Sequence, residues 1–355
     1  LKLRSKDMAE KLVIIGNGMA PGRMLERLYE IAPDRYDVTI FNAESRVNYD
    51  RILLSPVLSG EKAFEEIIIH GDGWYVERGI MLYKSHKVVE IDRAKRTVRS
   101  EHGEVAPYDK LVIATGSVPI VIPVSGHNLA GVLTYRDLDD VHAMLLAAKG
   151  RGHAVVIGGG LLGLEAAAGL QMQGMTVTVI HLMPTLMERQ LDSSAGYLLK
   201  KALEDRGIRV LTGANTKEIT GNGKVEAVRL EDGTEIPADL VVMAVGIRPN
   251  AQMAKEAGLT VNRGIVVDDA MQTSDPDIVV NDQMQTIDER IYALGECAEI
   301  NSTCYGLVAP LYQMAGVAAA HLGGDTTQHF VASQTATRLK VTGIDLYSVG
   351  DFAEG

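Results

Sequence analysis

Two short stretches carry residues whose types and spacing could do chemistry: VIIGNGMAPG at 13–22 and VVIGGGLLGLE at 155–165. In each, a β-branched run breaks into glycines at the mouth of a helical pattern. Such a bend aims backbone N–H groups and the positive end of a helix at one point, which suits a pyrophosphate. The first glycine makes the tight turn, the second lets the phosphate approach, and the third lets helix and strand pack closely. The second stretch is complete, with Gly158, Gly160 and Gly163, and Leu161 and Leu162 lend their N–H groups. The first has Gly16 and Gly18 followed by Met19 and Ala20, but Pro21 stands in the third place, with Gly22 just after. Proline is tolerated in the first turn of a helix. The expectation is a helix that starts one residue later and leaves the close contact to Gly22. Two cradles predict two dinucleotides on one chain.

Further candidates sit where strands should end. Glu44 follows YDVTIF and could accept ribose hydroxyls, and Arg51 offers a fixed fork for a phosphate. Ala114, Thr115 and Gly116 close another strand at the same carboxyl edge. Coenzyme choice is read at the end of MTVTVI, where an acid favours a free ribose and a base tolerates a 2′-phosphate. His181 stands there with Arg189 nearby, and neither a free nor a 2′-phosphorylated ribose is excluded, with a lean to the free one. Cys297 and Cys304 form no CxxC pair, and two ligands cannot close a zinc or iron–sulfur site. Reduced thiols and no metal are expected.

The elements that must position these residues alternate strand and helix. KLVII (11–15), MLERLYEIA (24–32) and YDVTIF (36–41) read as a βαβ unit, and YDKLVIATG (108–116) as a buried strand, with a small antiparallel excursion at 88–100 between them. From His153 the pattern restarts: strand, glycines, helix, MTVTVI, a helix at 193–206, a hairpin around Asp232-Gly233, and a strand ending at Gly246. IYALGE (291–296) and VAPLYQMAGVAAAHL (308–322) return to the first pattern. The fold class is therefore α/β: two Rossmann-like dinucleotide-binding domains of parallel sheet in three layers, the second inserted into the first. The boundaries read as 8–118 and 248–325 for the first domain, 119–247 for the second, and 326–355 for the start of a further region. IVVDDAMQTSDPD (265–277) is followed by IVVNDQMQTIDER (278–290), identical at eight of thirteen positions. This reads as a local duplication or a sequencing artefact, either copy of which could take the native place, and not as a solenoid.

Composition sets outer limits. The 355 residues suffice for two domains, and a net charge of -11 argues against nucleic acid or an anionic membrane surface. The first apolar run is too short for a signal peptide and the longest is broken by glycines, so a cytoplasmic protein is expected. Met8 could be the natural start, with the seven residues before it an upstream extension.

The motifs in order, namely GxGxxx, YDR followed by LS, YDKLVIATG, GGGLLGLE, AVGIRPN (244–250) and IYALGEC (291–297), resemble those of the pyridine nucleotide–disulfide oxidoreductases and ferredoxin reductases. VIIGNGM, RVNYDR, LMERQLD (186–192), QTSDP (272–276) and YGLVAP (305–310) are more closely similar to the N-terminal flavin part of assimilatory NAD(P)H-dependent nitrite reductase large subunits. The resemblance implies FAD on the first cradle and NADH or NADPH on the second. It implies Gly295 and Glu296 against the flavin's ribityl and pyrophosphate, Val88 touching adenine through its backbone, and Gly246 lining the passage between the two sites. Glu165 would orient the nicotinamide carboxamide, although Pro56 stands where ferredoxin reductases often carry that glutamate's lysine partner.

Hydride transfer between the two rings needs proximity and not a nucleophile, so no catalytic acid or base is assigned. No redox cysteine follows Arg51, which makes thiol chemistry improbable. Electrons would leave singly to an iron–sulfur or sirohaem acceptor outside this chain, as in nitrate assimilation. The alternatives are a free-standing NADH:ferredoxin or rubredoxin reductase, and a nucleotide-binding module without turnover.

Overall fold

The computed structural model describes residues 9–274, 287–333, 336–341 and 344–350. The chain divides into two compact units. One comprises residues 1–50, 68–117 and 248–333, and the other 51–67, 118–247 and 334–355.

The first unit is built on an eight-stranded sheet. Its centre runs Ile287–Ala293, Lys110–Ile113, Glu10–Ile15, Tyr36–Phe41 and Met81–Tyr83, all parallel neighbours. These strands read as near-continuous apolar runs because helices cover a parallel sheet on its faces. Leu12, Ile14, Ile40, Leu111 and Val112 are fully buried. The helix Met19–Ile31 buries Met24, Leu25 and Leu28, and the helix Val308–Gly323 packs with it into the same core. Strands Val88–Asp92, Thr97–Ser100 and Val105–Pro107 form the small antiparallel excursion, with one strand more than the sequence suggested.

Of the first copy of the duplicated segment, Ile265–Val267 and Gln272–Ser274 are strands of the sheet. Ile265–Val267 pairs with Ala298–Ile300, and Ile265 and Met271 are fully buried. Strand Ile287–Ala293 takes up the last residues of the second copy, whereas residues 275–286 lie outside the described ones.

The second unit repeats the plan on five parallel strands in the order Val132–Thr134, Leu240–Met243, His153–Ile157, Thr176–His181 and Arg209–Thr212. The hairpin at Asp232-Gly233 joins Ala227–Leu230 to Glu235–Pro237. Two segments that the sequence did not tie to this unit pack into it. The helix Leu54–Ser59 sets Leu58 so close to Gly169 that a Cβ there would meet Leu58 Cγ at 2.8 Å. The hairpin Ala336–Val341/Ile344–Val349 lies against the helix Leu161–Met172. Both attachments are made by side-chain fit between segments remote in sequence, which local periodicity does not encode.

Candidate functional site

The two glycine loops adopt the same backbone. Gly16 and Gly158 have φ of 107° and 123°. At each, a Cβ would fall far inside contact with a carbonyl oxygen of the neighbouring strand's end, Ala114 in one unit and Ala244 in the other. Only glycine supplies both the positive φ and the clearance. Gly16 N–H donates to Phe41 O and Gly158 N–H to Ile180 O, each at 2.8 Å.

The helices then start at matching places. Gly18 caps Met19–Ile31 at φ -80°, and Gly160 caps Leu161–Met172 at φ -84°, both without a side-chain cap and without an acid in the first turn. The late start expected for the first helix is therefore corrected. Pro21 is its third residue, whose N–H would have no partner inside the helix anyway. Gly22 does take the close contact, since a Cβ there would sit 3.1 Å from the Asn48 side chain. In the second unit Gly163 faces Gly158 O so closely that no Cβ fits.

The space above Gly18 and Gly160 is open, with nothing within 4 Å of an ideal Cβ at either position. Uncapped N–H groups, a positive helix end and a glycine with open space outside it meet the demands of a pyrophosphate in each unit. The donors offered are Met19 and Ala20 in the first unit, and Leu161, Leu162 and Gly163 in the second.

The other first-unit candidates line the carboxyl ends of adjacent strands. Glu44 follows Tyr36–Phe41 and accepts the Tyr49 hydroxyl at 2.7 Å. Ala114, Thr115 and Gly116 follow Lys110–Ile113, and the Thr115 hydroxyl donates to Asn250 O at 2.6 Å. Gly295 (φ 85°) and Glu296 follow Ile287–Ala293, where Ser117 Oγ donates to Glu296 Oε2 at 2.9 Å. Val88 opens its own small strand and is buried. Arg51 falls in the second unit, where its guanidinium donates to Arg136 O at 3.3 Å.

Asn48 escaped the sequence reading. It is 1% exposed, and its Nδ2 donates to Asn17 O at 2.9 Å and Gly18 O at 2.7 Å, tying down the glycine loop. The signal available was an amide in RVNYDR, next to residues already singled out.

In the second unit Gly246 (φ 117°) follows Leu240–Met243, and its carbonyl accepts Ile120 N–H at 2.9 Å. Glu165 is 5% exposed and faces the helix Leu54–Ser59 and the C-terminal hairpin. Its Oε2 accepts the Ser55 hydroxyl, which in turn meets Tyr135 OH at 2.9 Å, and its Oε1 accepts Lys340 N–H at 3.0 Å. Burial pushes the Glu165 carboxyl above its usual range, against the opposing pull of Ser55 and Lys340. Ser55 and Tyr135 thus stand beside Glu165 where Pro56 offers no cation. His181 is 8% exposed, and its ring lies between Gly159 and Glu188. Arg189 is exposed on the same loop.

Cys297 is fully buried, and burial raises its thiol, which sits against Ile113 O and Leu294 O at 3.4 and 3.3 Å. That is a packing role. No helix among the described residues is long and apolar enough to cross a membrane.

Parallel sheets with glycine-turn anion nests at their carboxyl edges define a dinucleotide-binding α/β oxidoreductase architecture. The chain belongs to the pyridine nucleotide-disulphide oxidoreductase family, whose model matches residues 10–280. It is 48% identical over 345 residues to a nitrite reductase [NAD(P)H] of Bacillus subtilis (strain 168), covering 97% of this chain and 41% of that protein. It is 41% identical, over 97% of the chain and 43% of the relative, to the assimilatory nitrate reductase electron transfer subunit of the same organism. The chain thus spans about two fifths of the length of these relatives. Among solved structures, the ferredoxin reductase for the CYP199A2 system of Rhodopseudomonas palustris superposes with a TM-score of 0.87 at 28% identity, over 97% of this chain and 83% of that one.

Proposed function

We propose that this chain is an FAD-dependent NAD(P)H oxidoreductase module that feeds single electrons to an iron–sulfur or sirohaem acceptor, as in nitrite reduction during nitrate assimilation in the cytoplasm. In this reading residues 8–118 and 248–325 hold FAD, and residues 119–247 hold the nicotinamide coenzyme. The observation that carries it is the pair of matching cradles, each at the carboxyl edge of its own parallel sheet, each open at its second glycine.

The residues present fit these groups. Met19 and Ala20 would donate to the FAD pyrophosphate, Glu44 would accept the adenosine ribose, and Gly295 and Glu296 would hold the ribityl and pyrophosphate side. Leu161, Leu162 and Gly163 would donate to the coenzyme's pyrophosphate, and Gly246 would line its route. Bound in the first unit, FAD supplies a two-electron acceptor that can also release electrons one at a time. The buried Cys297 leaves thiol chemistry without a nucleophile at this position.

Anaerobic titration of the purified protein with NADH and then NADPH, followed through the visible flavin band, tests the proposal. Bleaching at one equivalent supports it. A colourless protein that refuses added FAD, or a flavin that stays oxidised with both coenzymes, overturns it.

A further inference from the structure

The neutral His181 ring has a defined tautomer. Its Nδ1 lies 3.0 Å from Gly159 N, and a backbone N–H can only donate, so Nδ1 accepts. The ring proton is then on Nε2, which faces Glu188 Oε2 at 3.1 Å and donates to it. The loop after the strand Thr176–His181 is closed on the same glycine from the other side, because Met187 N–H donates to Gly159 O at 3.0 Å. Gly159 leaves no room for a side chain, since a Cβ would meet His181 Cγ at 2.7 Å. The His181 carbonyl is held in turn by Ala214 N–H at 3.0 Å. Glycine loop, imidazole and carboxylate therefore form one fixed chain.

Its effect is to bring an acid to the strand end that lacks one in sequence. Glu188 is seven residues beyond His181, yet its carboxylate is pinned at the carboxyl edge of the second strand, beside the cradle. The carboxylate side chain stays 32% exposed and so can reach a ligand. A carboxylate there accepts two hydroxyls of a ribose and repels a phosphate monoester.

We infer that Glu188, oriented by His181, selects the coenzyme of the second cradle, favouring an adenosine ribose with free 2′ and 3′ hydroxyls over one bearing a 2′-phosphate. The inference rests on the cradle reading above and names the specificity of that site as NADH. Glu188 is the contact residue and His181 the positioning residue. The neighbouring exposed Arg189 is the group that would argue for the opposite choice.

Calorimetric binding of ADP-ribose and of 2′-phospho-ADP-ribose to the flavin-loaded chain reads this directly, without turnover. The unmodified protein is expected to bind ADP-ribose at least about tenfold more tightly. Glu188→Gln should weaken ADP-ribose and narrow the ratio, and Glu188→Lys should invert it. Equal or tighter binding of the 2′-phosphorylated probe by the unmodified protein overturns the inference while leaving the cradle standing. A ratio unchanged in both Glu188 variants also overturns it. Absence of binding by either probe overturns the cradle reading and the inference together.

Discussion

Glu165 accepts the backbone N–H of Lys340 at 3.0 Å, so a carboxyl group on the helix Leu161–Met172 is held by a strand 175 positions further along the chain. The Ser55 hydroxyl holds its other oxygen, and Tyr135 backs Ser55. Burial of Glu165 is the largest influence on its ionisation and raises its pKa. The folded chain therefore keeps a proton that the unfolded chain has already released. Stability from this group is full below the ordinary carboxylate pKa and declines as pH rises through the raised one. Glu165→Gln cannot ionise, so its melting temperature should climb relative to the native chain as pH is taken from about 4 to 8. A constant offset between the two melting curves across that range would show that Glu165 titrates normally.

Removing the hydroxyl partner tests the same group by a different route. Ser55→Ala leaves one oxygen of a buried carboxyl without its donor, at an expected cost of about 1–3 kcal/mol in urea unfolding. Because Ser55 favours the charged form, its loss should also push the Glu165 pKa further up and extend the pH window in which stability declines. A variant as stable as the native chain, with an unchanged window, would mean that the hydroxyl contributes nothing.

The glycine loops separate folding from binding. Gly16→Ala or Gly158→Ala combines a positive φ with a steric clash against a strand-end carbonyl and should destabilise by about 3 kcal/mol or more. Gly18→Ala or Gly160→Ala meets only open space at an ordinary φ and should stay within about 0.5 kcal/mol. On the proposed reading of the cradles, the added methyl would nevertheless occupy the place of a phosphate. Gly18→Ala should release FAD on gel filtration, and Gly160→Ala should keep its flavin yet resist reduction by the coenzyme. Loss of stability in the second pair, or full binding in it, would refute this division.

These loops were legible in sequence because their demands are local: β-branched runs, glycines at fixed offsets and an apolar helix. The alternation of parallel strands with helices followed from the same pattern, whereas the order of the strands within each sheet comes from the structure alone. Other features were set by partners that no local signal announces. The helix Leu54–Ser59 and the C-terminal hairpin join the second unit through Leu58, Gly169 and Lys340, residues far apart in sequence. Glu188 reaches the strand end only because Gly159 closes a loop over it, so the residues next to His181 in sequence show no acid at that place. Pro21 suggested a displaced helix start, but the missing N–H is one that a helix's first turn does not use, and the start is unmoved.

Asn48 allows a sharper test of how the first cradle is held. Its amide N–H groups donate to the carbonyls of Asn17 and Gly18, and its side chain is the surface against which Gly22 packs. Asn48→Ala deletes both bonds and should cost about 1–3 kcal/mol in urea unfolding. Asn48→Asp preserves the volume but sets a carboxylate against two carbonyl oxygens, so it should cost more than alanine at neutral pH and recover part of the loss on acidification, when a protonated acid can donate. Both variants should lose flavin faster than the native protein, since the loop that carries Gly18 is no longer tied. If Asn48→Asp proves as stable as the native chain, the amide is not donating to the loop and the cradle is held by its own backbone alone.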